Sequence, residues 1–250
     1  AEPVWHSIEF LSDLHLSDAT PRTFEAWAHY LRSTQADAVF ILGDLFEVWF
    51  GDDARAIGGF AQRAADLPLF DFIGLHGVLS WISAENRARI AGFLRDRLAP
   101  GGVVYTGYNA LPGWADMVPL RRLMAEHAAL TGPGGTVERI DAAGAFTARL
   151  LDTHPLAVRA TPQVAARFER LRHADRRYLA HEYFNRDWEP LYFTEVAELL
   201  GTAGLSHACP AQLRDHLDAL NLTDGQRRLL GEIADPGFRE TVRDFLTNAQ

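Results

Sequence analysis

The stretch from Leu67 to Trp114 constrains the fold of this chain more than any other. It opens on an apolar run of strand length, Phe70 to Leu75, and turns at His76-Gly77. A helix follows that Ser83 can cap and Pro100-Gly101-Gly102 can stop, and a second apolar run, Val103 to Tyr108, comes next. That order is a βαβ unit. In an open parallel sheet a ligand sits in the crevice beyond the carboxyl ends of the strands, so His76, Ser80, Tyr108 and Asn109 lie where chemistry is expected.

An earlier βαβ unit precedes it. Ser7 to Leu11 reads as a short strand that ends in the polar triplet Asp13-Leu14-His15. Thr20-Pro21 supplies an N-cap and a first-turn proline for a helix whose apolar positions, Phe24, Trp27, Ala28 and Leu31, fall at i, i+3, i+4 and i+7. Ala38 to Leu42 is a continuous apolar run, the pattern of a strand covered on both faces, and it ends in Gly43-Asp44.

Composition narrows the partners. With 250 residues, 48% of them hydrophobic and 23% charged, the chain can bury a sizeable core as one large domain or two modest ones. A formal charge of -9 with no basic cluster argues against nucleic acid, which needs a basic footprint. All 24 basic residues are Arg, so a lysine Schiff base and a phosphate-loop lysine are excluded. The single cysteine, Cys209, excludes an internal disulfide and a multi-cysteine zinc site. No apolar run reaches about 18 residues and no charged-then-apolar leader opens the sequence, so neither a transmembrane segment nor a signal peptide is expected, and a cytoplasmic location is.

The first βαβ unit carries a metal signal. Two carboxylates and an imidazole, Asp13, Asp44 and His15, would converge on one sheet edge, where they can share divalent cations and activate a water for attack on phosphorus. The same residues also read as ordinary solvated turns. FLSDLHLSDATPRTFEAWAHYL followed by ADAVFILGDLFEVWFGDDA resembles the amino-terminal part of UDP-2,3-diacylglucosamine diphosphatase, a manganese-dependent calcineurin-like metallophosphoesterase of lipid A synthesis. The resemblance runs from about Ile8 to Ala54 and implies Asp13, His15 and Asp44 as Mn2+ ligands, with a substrate at a membrane periphery. The later asparagine and histidine motifs of that family do not follow, so weak metal binding is expected. Asn185-Arg186-Asp187 looks like a fragment of one, but it lacks the preceding glycine and sits in an aromatic-rich helical context.

From about Phe60 onward the chain is similar to a different family, the class I S-adenosylmethionine-dependent methyltransferases with a carboxyl-terminal methyltransferase regulatory domain. The residues that carry the likeness are FDFIGLHGVLSWISAENR, LAPGGVVYTGYNALPGWADMVPLRRLM, YLAHEYFNRDWEPLYFTEVAELL and RETVRDFL. The resemblance implies that Leu75, His76 and Gly77 face the cofactor. It also implies that Tyr108 and Asn109, the catalytic candidates, shape the acceptor side together with Pro112-Gly113-Trp114. No G-x-G-x-x-G occurs anywhere in the 250 residues, so the S-adenosylmethionine site is expected to be incomplete.

The remainder is periodic at helical spacing: Val164, Phe168 and Leu171; Leu213, Leu217 and Leu220; Phe238, Val242, Phe245 and Leu246. Thr223 and Gln226 form a capping-box pair, and the aromatic run from Tyr178 to Phe193 reads as core. The expected fold is α/β: a partial parallel sheet of about four strands followed by an all-helical regulatory domain. The expected divisions are 1–54 (phosphoesterase-like), 55–66 (seam), 67–135 (late methyltransferase strands) and 136–250 (helical), in effect a chimera. Three functions fit: a methyltransferase-derived protein acting on an acceptor the sequence does not identify, a manganese-dependent UDP-sugar pyrophosphate hydrolase, and a non-catalytic helical interaction module.

Overall fold

The structure is a computed structural model that describes residues 7–11, 21–36, 38–41 and 67–249. Asp13, His15 and Asp44 lie outside the described residues, and so does the expected seam at 55–66.

The first unit comprises β1 (Ile8–Leu11), α1 (Pro21–Ser33) and β2 (Ala38–Ile41), with β1 and β2 parallel and Ile8 opposite Ala38. The helix buries Trp27, Ala28 and Leu31, the face its period marks, against Val39, Leu67, Phe70 and Phe93. Phe70 and Phe93 belong to the second unit, so α1 joins the two units by burying apolar surface from both, at roughly 25 cal/mol per Å² removed from water.

That second unit is β3 (Phe70–His76), a short 3-10 turn (Leu79–Trp81), α2 (Ala84–Arg97) and β4 (Leu98–Gly107). Ser83 caps α2 by accepting a hydrogen bond from the Asn86 amide at 3.3 Å. The strands pair parallel, with Ile73 opposite Val104 and His76 opposite Gly107. Four strands thus stand where the apolar runs predict them, but they do not form the expected four-stranded sheet. Among the described residues there are two separate two-stranded parallel sheets, β1-β2 and β3-β4, and no ladder joins β2 to β3.

The start of β4 also departs from expectation. Pro100-Gly101-Gly102 does not stop the helix, which ends at Arg97. The three residues lie inside the strand, where the register slips between Phe70 and Phe72. A Cβ on Gly102 would stand 2.9 Å from the Ala99 carbonyl and 3.0 Å from the Asp71 carbonyl, so only glycine lets the backbone take this irregularity.

Beyond Ala110 the chain is helical: α3 (Val118–Leu130), α4 (Thr136–Asp152), α5 (Leu156–Ala160), α6 (Pro162–Leu171), α7 (Arg176–Glu182), α8 (Phe193–Gly201), α9 (Asp218–Asn221), α10 (Asp224–Gly231) and α11 (Pro236–Thr247). Its core gathers Trp81, Trp114, Met117, Met124, Ile140, Phe168, Tyr183 and Trp188, so the second βαβ unit contributes directly to the helical interior. Tyr183 and Trp188 are buried, whereas Tyr178 and Tyr192 of the same aromatic run are exposed. The Thr223–Gln226 capping box forms as its spacing predicts.

Leu213, Leu217 and Leu220 do not share one helix. A 3-10 turn (Leu213–His216) and the four residues of α9 replace it, and Leu217 and Leu220 are exposed. The Asn221 side chain donates to the Arg214 carbonyl at 2.7 Å, and a His216 ring nitrogen lies 2.7 Å from the Pro210 carbonyl. Such side-chain bonds to the backbone compete with helix.

The period of Val164, Phe168 and Leu171 faces the core, while Phe238 on α11 is 56% exposed. Phe168→Ala should therefore cost about 3–5 kcal/mol in chemical denaturation, and Phe238→Ala less than about 0.5 kcal/mol. Equal losses would contradict this assignment of the core.

Candidate functional site at the carboxyl edge of β3 and β4

β3 and β4 end side by side. His76 closes β3, and Gly77 turns the chain in the left-handed region at φ +62°, with its amide donating to the Gly107 carbonyl at 3.2 Å. The His76 Nδ1 lies 3.1 Å from the Tyr105 hydroxyl, and the two rings are nearly parallel, with centroids 6.0 Å apart. Gly107 makes this approach possible: a Cβ there would sit 3.4 Å from both groups. His76 is exposed and Tyr105 is partly buried, so an imidazole at the surface meets a half-covered phenol at the strand ends. Tyr105 does not stand out in the sequence; the available signal was its position two residues before Gly107, on the same face of β4. Leu75 pairs with Thr106 one step earlier in the ladder and is partly buried.

Ser80 and Asn109 serve differently. Ser80 is wholly buried, its hydroxyl accepts the Asn109 amide at 2.8 Å, and its carbonyl accepts the Glu189 amide at 2.8 Å. The Asn109 carbonyl accepts the Leu191 amide at 2.9 Å, and the Leu111 amide returns a bond to Leu191 at 3.0 Å. Residues 189–191 thereby lie alongside the strand end, with Ala110 and Leu191 in a parallel bridge. Behind them the buried Arg87 guanidinium pairs with Glu189 and donates to the Leu79 carbonyl.

Tyr108 turns inward, packed with Leu79, Leu191, Val196, Leu199 and Leu200. Burial, and then the carboxylate of Asp244, holds its phenol well above the ordinary tyrosine range. It is thus a neutral hydrogen-bonding group rather than a base. Burial pushes the Asp244 carboxyl up to about 6, with Glu240 adding and Arg243 opposing. On α7, burial pushes Glu182 up to about 7 against the influence of Arg167. Its neighbour His181 stacks on Trp81 at 5.4 Å.

These residues meet only part of what a nucleoside donor requires. The Asn109 side-chain amide is buried and its nitrogen has no hydrogen-bond partner among the described residues, and the buried Thr106 hydroxyl on β4 likewise has none. A ribose and a methionine tail need a glycine turn after the first strand and an acid after the second. The carboxyl ends of β1 and β2 run into residues outside the description. The described residues therefore include neither a turn after β1 nor one after β2 that could hold such a donor. Among the described residues no group of three His, Cys, Asp or Glu is placed to hold a metal, and no helix is long and apolar enough to cross a membrane.

Fold and edge together define a parallel βαβ segment of an α/β protein whose strand ends are walled by helices. Residues 175–250 match the family described as "Predicted methyltransferase regulatory domain". Over 97% of its length the chain superposes on PKMT2 from Rickettsia typhi in complex with AdoHcy, with a TM-score of 0.58 and 18% identity across 47% of that chain. A second structure of PKMT2 gives a TM-score of 0.59 at 19% identity, across 46% of that chain. These likenesses show a shared methyltransferase-like fold.

Among curated proteins, sll1526 of Synechocystis sp. is 43% identical over 185 residues, 74% of this chain and 36% of that protein. The UDP-2,3-diacylglucosamine hydrolase of Stutzerimonas stutzeri is 55% identical over 96 residues, 34% of this chain and 38% of that protein. The Xanthomonas oryzae pv. oryzae hydrolase is 37% identical over 109 residues, 40% of this chain and 42% of that protein. The chain thus spans less than half the length of each curated relative.

The two raised carboxyls predict how stability changes with pH. Asp244 and Glu182 ionise in the folded chain at about 6 and about 7, above their ordinary 3.8 and 4.5. Each favours the fold in its protonated form, so that contribution is complete below about pH 4 and lost as pH rises through about 6 and about 7. Asp244→Asn should raise the melting temperature at about pH 8 and leave it unchanged near pH 4. A lower melting temperature at the higher pH, read by circular dichroism, would contradict the assignment.

Proposed function

We propose that the chain is a methyltransferase-derived protein. Its β3-β4 carboxyl edge forms the acceptor side, and its helices from about residue 136 onward form a regulatory wall. The observation that carries this reading is the attachment of residues 189–191, inside the regulatory-domain match, to Ser80, Asn109 and Leu111 at that edge. His76 and Tyr105 are placed to orient an acceptor, since an imidazole and a phenol 3.1 Å apart can hold or relay a proton there. Leu75, His76 and Gly77 line the side turned toward a donor, and Asn109 offers its unused amide. Tyr108, neutral and packed inward, shapes the wall.

S-adenosylmethionine would supply an electrophilic methyl group at this edge. Methyl transfer is largely positioning, and misplacement of about 1 Å can cost on the order of a hundredfold in rate. With no G-x-G-x-x-G in the sequence, the chain is read as holding the acceptor side better than the donor, so useful turnover by the chain alone is not expected. Calorimetry with S-adenosylmethionine tests this: no heat at millimolar donor is expected, and micromolar affinity would overturn it.

A second reading is favoured by the 55% identity over 96 residues to a UDP-2,3-diacylglucosamine hydrolase. In it Asp13, His15 and Asp44 hold Mn2+ near a lipid-sugar substrate at a membrane surface, and the chain joins portions akin to two enzyme families. Three ligands leave most of a two-metal coordination shell to water, so binding is weak. Tight stoichiometric uptake of two manganese ions in the same calorimeter would contradict that weakness.

A further inference from the structure

A cavity of about 480 Å³ opens between the start of α4, the first turn and a half of α7 and the segment from Phe184 to Asp187, with none of the β3 or β4 residues in its lining. Its apolar lining comes from Val137, Ile140, Ala180 and Phe184. Its cationic groups are Arg176, Arg177 and Arg186, three of the chain's 24 arginines gathered at one opening of a protein with a formal charge of -9. We propose that this cavity binds a small organic carboxylate with a flat apolar body.

The charges around the opening leave room for one anion. Arg176 pairs with Asp141 at 2.6 Å, and Arg186 pairs with Asp187 at 2.8 Å. Arg177 is exposed and has no carboxylate partner among the described residues. A guanidinium presents a planar fork that matches a carboxylate with two parallel bonds, and it is more weakly hydrated than an ammonium.

The wall behind the opening is also positive. Asn185, which lines the cavity, receives at its carbonyl a hydrogen bond from the buried guanidinium of Arg121. Arg121 has no carboxylate partner among the described residues, and its Nε is unpartnered. Burial lowers it to about 10, which leaves it cationic at neutral pH. The amino terminus of α4 adds little, because the Glu138 carboxylate already folds over Gly135, its Oε2 2.5 Å from where a Cβ would stand.

The apolar lining sets the class of ligand. A bare inorganic anion would meet the arginines and leave Ile140 and Phe184 uncovered, whereas a neutral apolar molecule would leave Arg177 unmatched. The volume falls within the roughly 300–1,000 Å³ of small-molecule pockets, too small for a folded partner. The cavity stands apart from the strand edge, so this proposal does not depend on the methyltransferase reading.

The test is a calorimetric titration of the full chain with indole-3-acetate, its neutral isostere indole-3-acetamide, and inorganic phosphate. The acid should bind, with the amide about tenfold weaker or more for the charge-assisted contact it loses, and phosphate about tenfold weaker or more for the apolar surface it leaves uncovered. Arg177→Gln should weaken the acid about tenfold and leave the amide unchanged. Ala180→Leu, which fills the cavity, should weaken both, with circular dichroism melts confirming that each variant is folded. Equal affinity for acid and amide, an Arg177→Gln variant that binds like the parent, or no binding of the acid at millimolar concentration would overturn the proposal.

Discussion

Three hydrogen bonds hold together two parts of the chain that are far apart in sequence, and a fourth, between Asn109 and Ser80, braces one of those parts from within. The Glu189 amide meets the Ser80 carbonyl, the Asn109 amide meets the Ser80 hydroxyl, the Leu191 amide meets the Asn109 carbonyl, and the Leu111 amide meets the Leu191 carbonyl. Ser80 and Asn109 are buried, and there an unmatched backbone group costs about 1–3 kcal/mol. The strand edge and the helices that flank residues 189–191 therefore stand or fall together. Without residues 189–191, Ser80 and Asn109 would each keep a buried acceptor with no partner.

The other features of the edge follow from this seam. Ser80 sits in the 3-10 turn that places Leu79 and Trp81 in two different cores, one shared with Leu191 and Val196, the other with Trp114, Phe168 and Trp188. Arg87 ties α2 to the same seam through Glu189. α8 begins just after Leu191 and packs on α2 and on α11, which brings Asp244 close to Tyr108. The terminal helix thereby helps to keep one of the sequence-predicted acceptor residues neutral and turned inward.

Much of the fold was legible because its causes are local. The run from Phe70 to Leu75, the α1 face of Trp27, Ala28 and Leu31, the core period of Val164, Phe168 and Leu171, and the Thr223–Gln226 capping box all report short-range periods or caps. What stayed hidden depends on distant partners or on side chains that override a period. Pro100-Gly101-Gly102 reads as a helix stop, yet pairing with β3 absorbs it as an irregularity inside β4. Leu213, Leu217 and Leu220 have a helical period that side-chain bonds from Asn221 and His216 outweigh. At the edge, His76, Ser80, Tyr108 and Asn109 were placed correctly at the strand ends. That Ser80 is a buried acceptor, and that Tyr105 rather than Tyr108 meets His76, depends on register and on contacts with residues 189–191 that no local pattern encodes.

The central claim is that the strand edge and the helical part of the chain form one cooperative unit through the Ser80–Asn109–Leu191 seam. Native-state amide hydrogen exchange measures this directly, because groups that open together share one opening free energy. The amides of Asn109, Leu111, Glu189 and Leu191 should exchange with a common opening free energy, and Ser80→Ala should lower all four together. Glu189 and Leu191 exchanging freely while Asn109 and Leu111 remain protected would contradict the account.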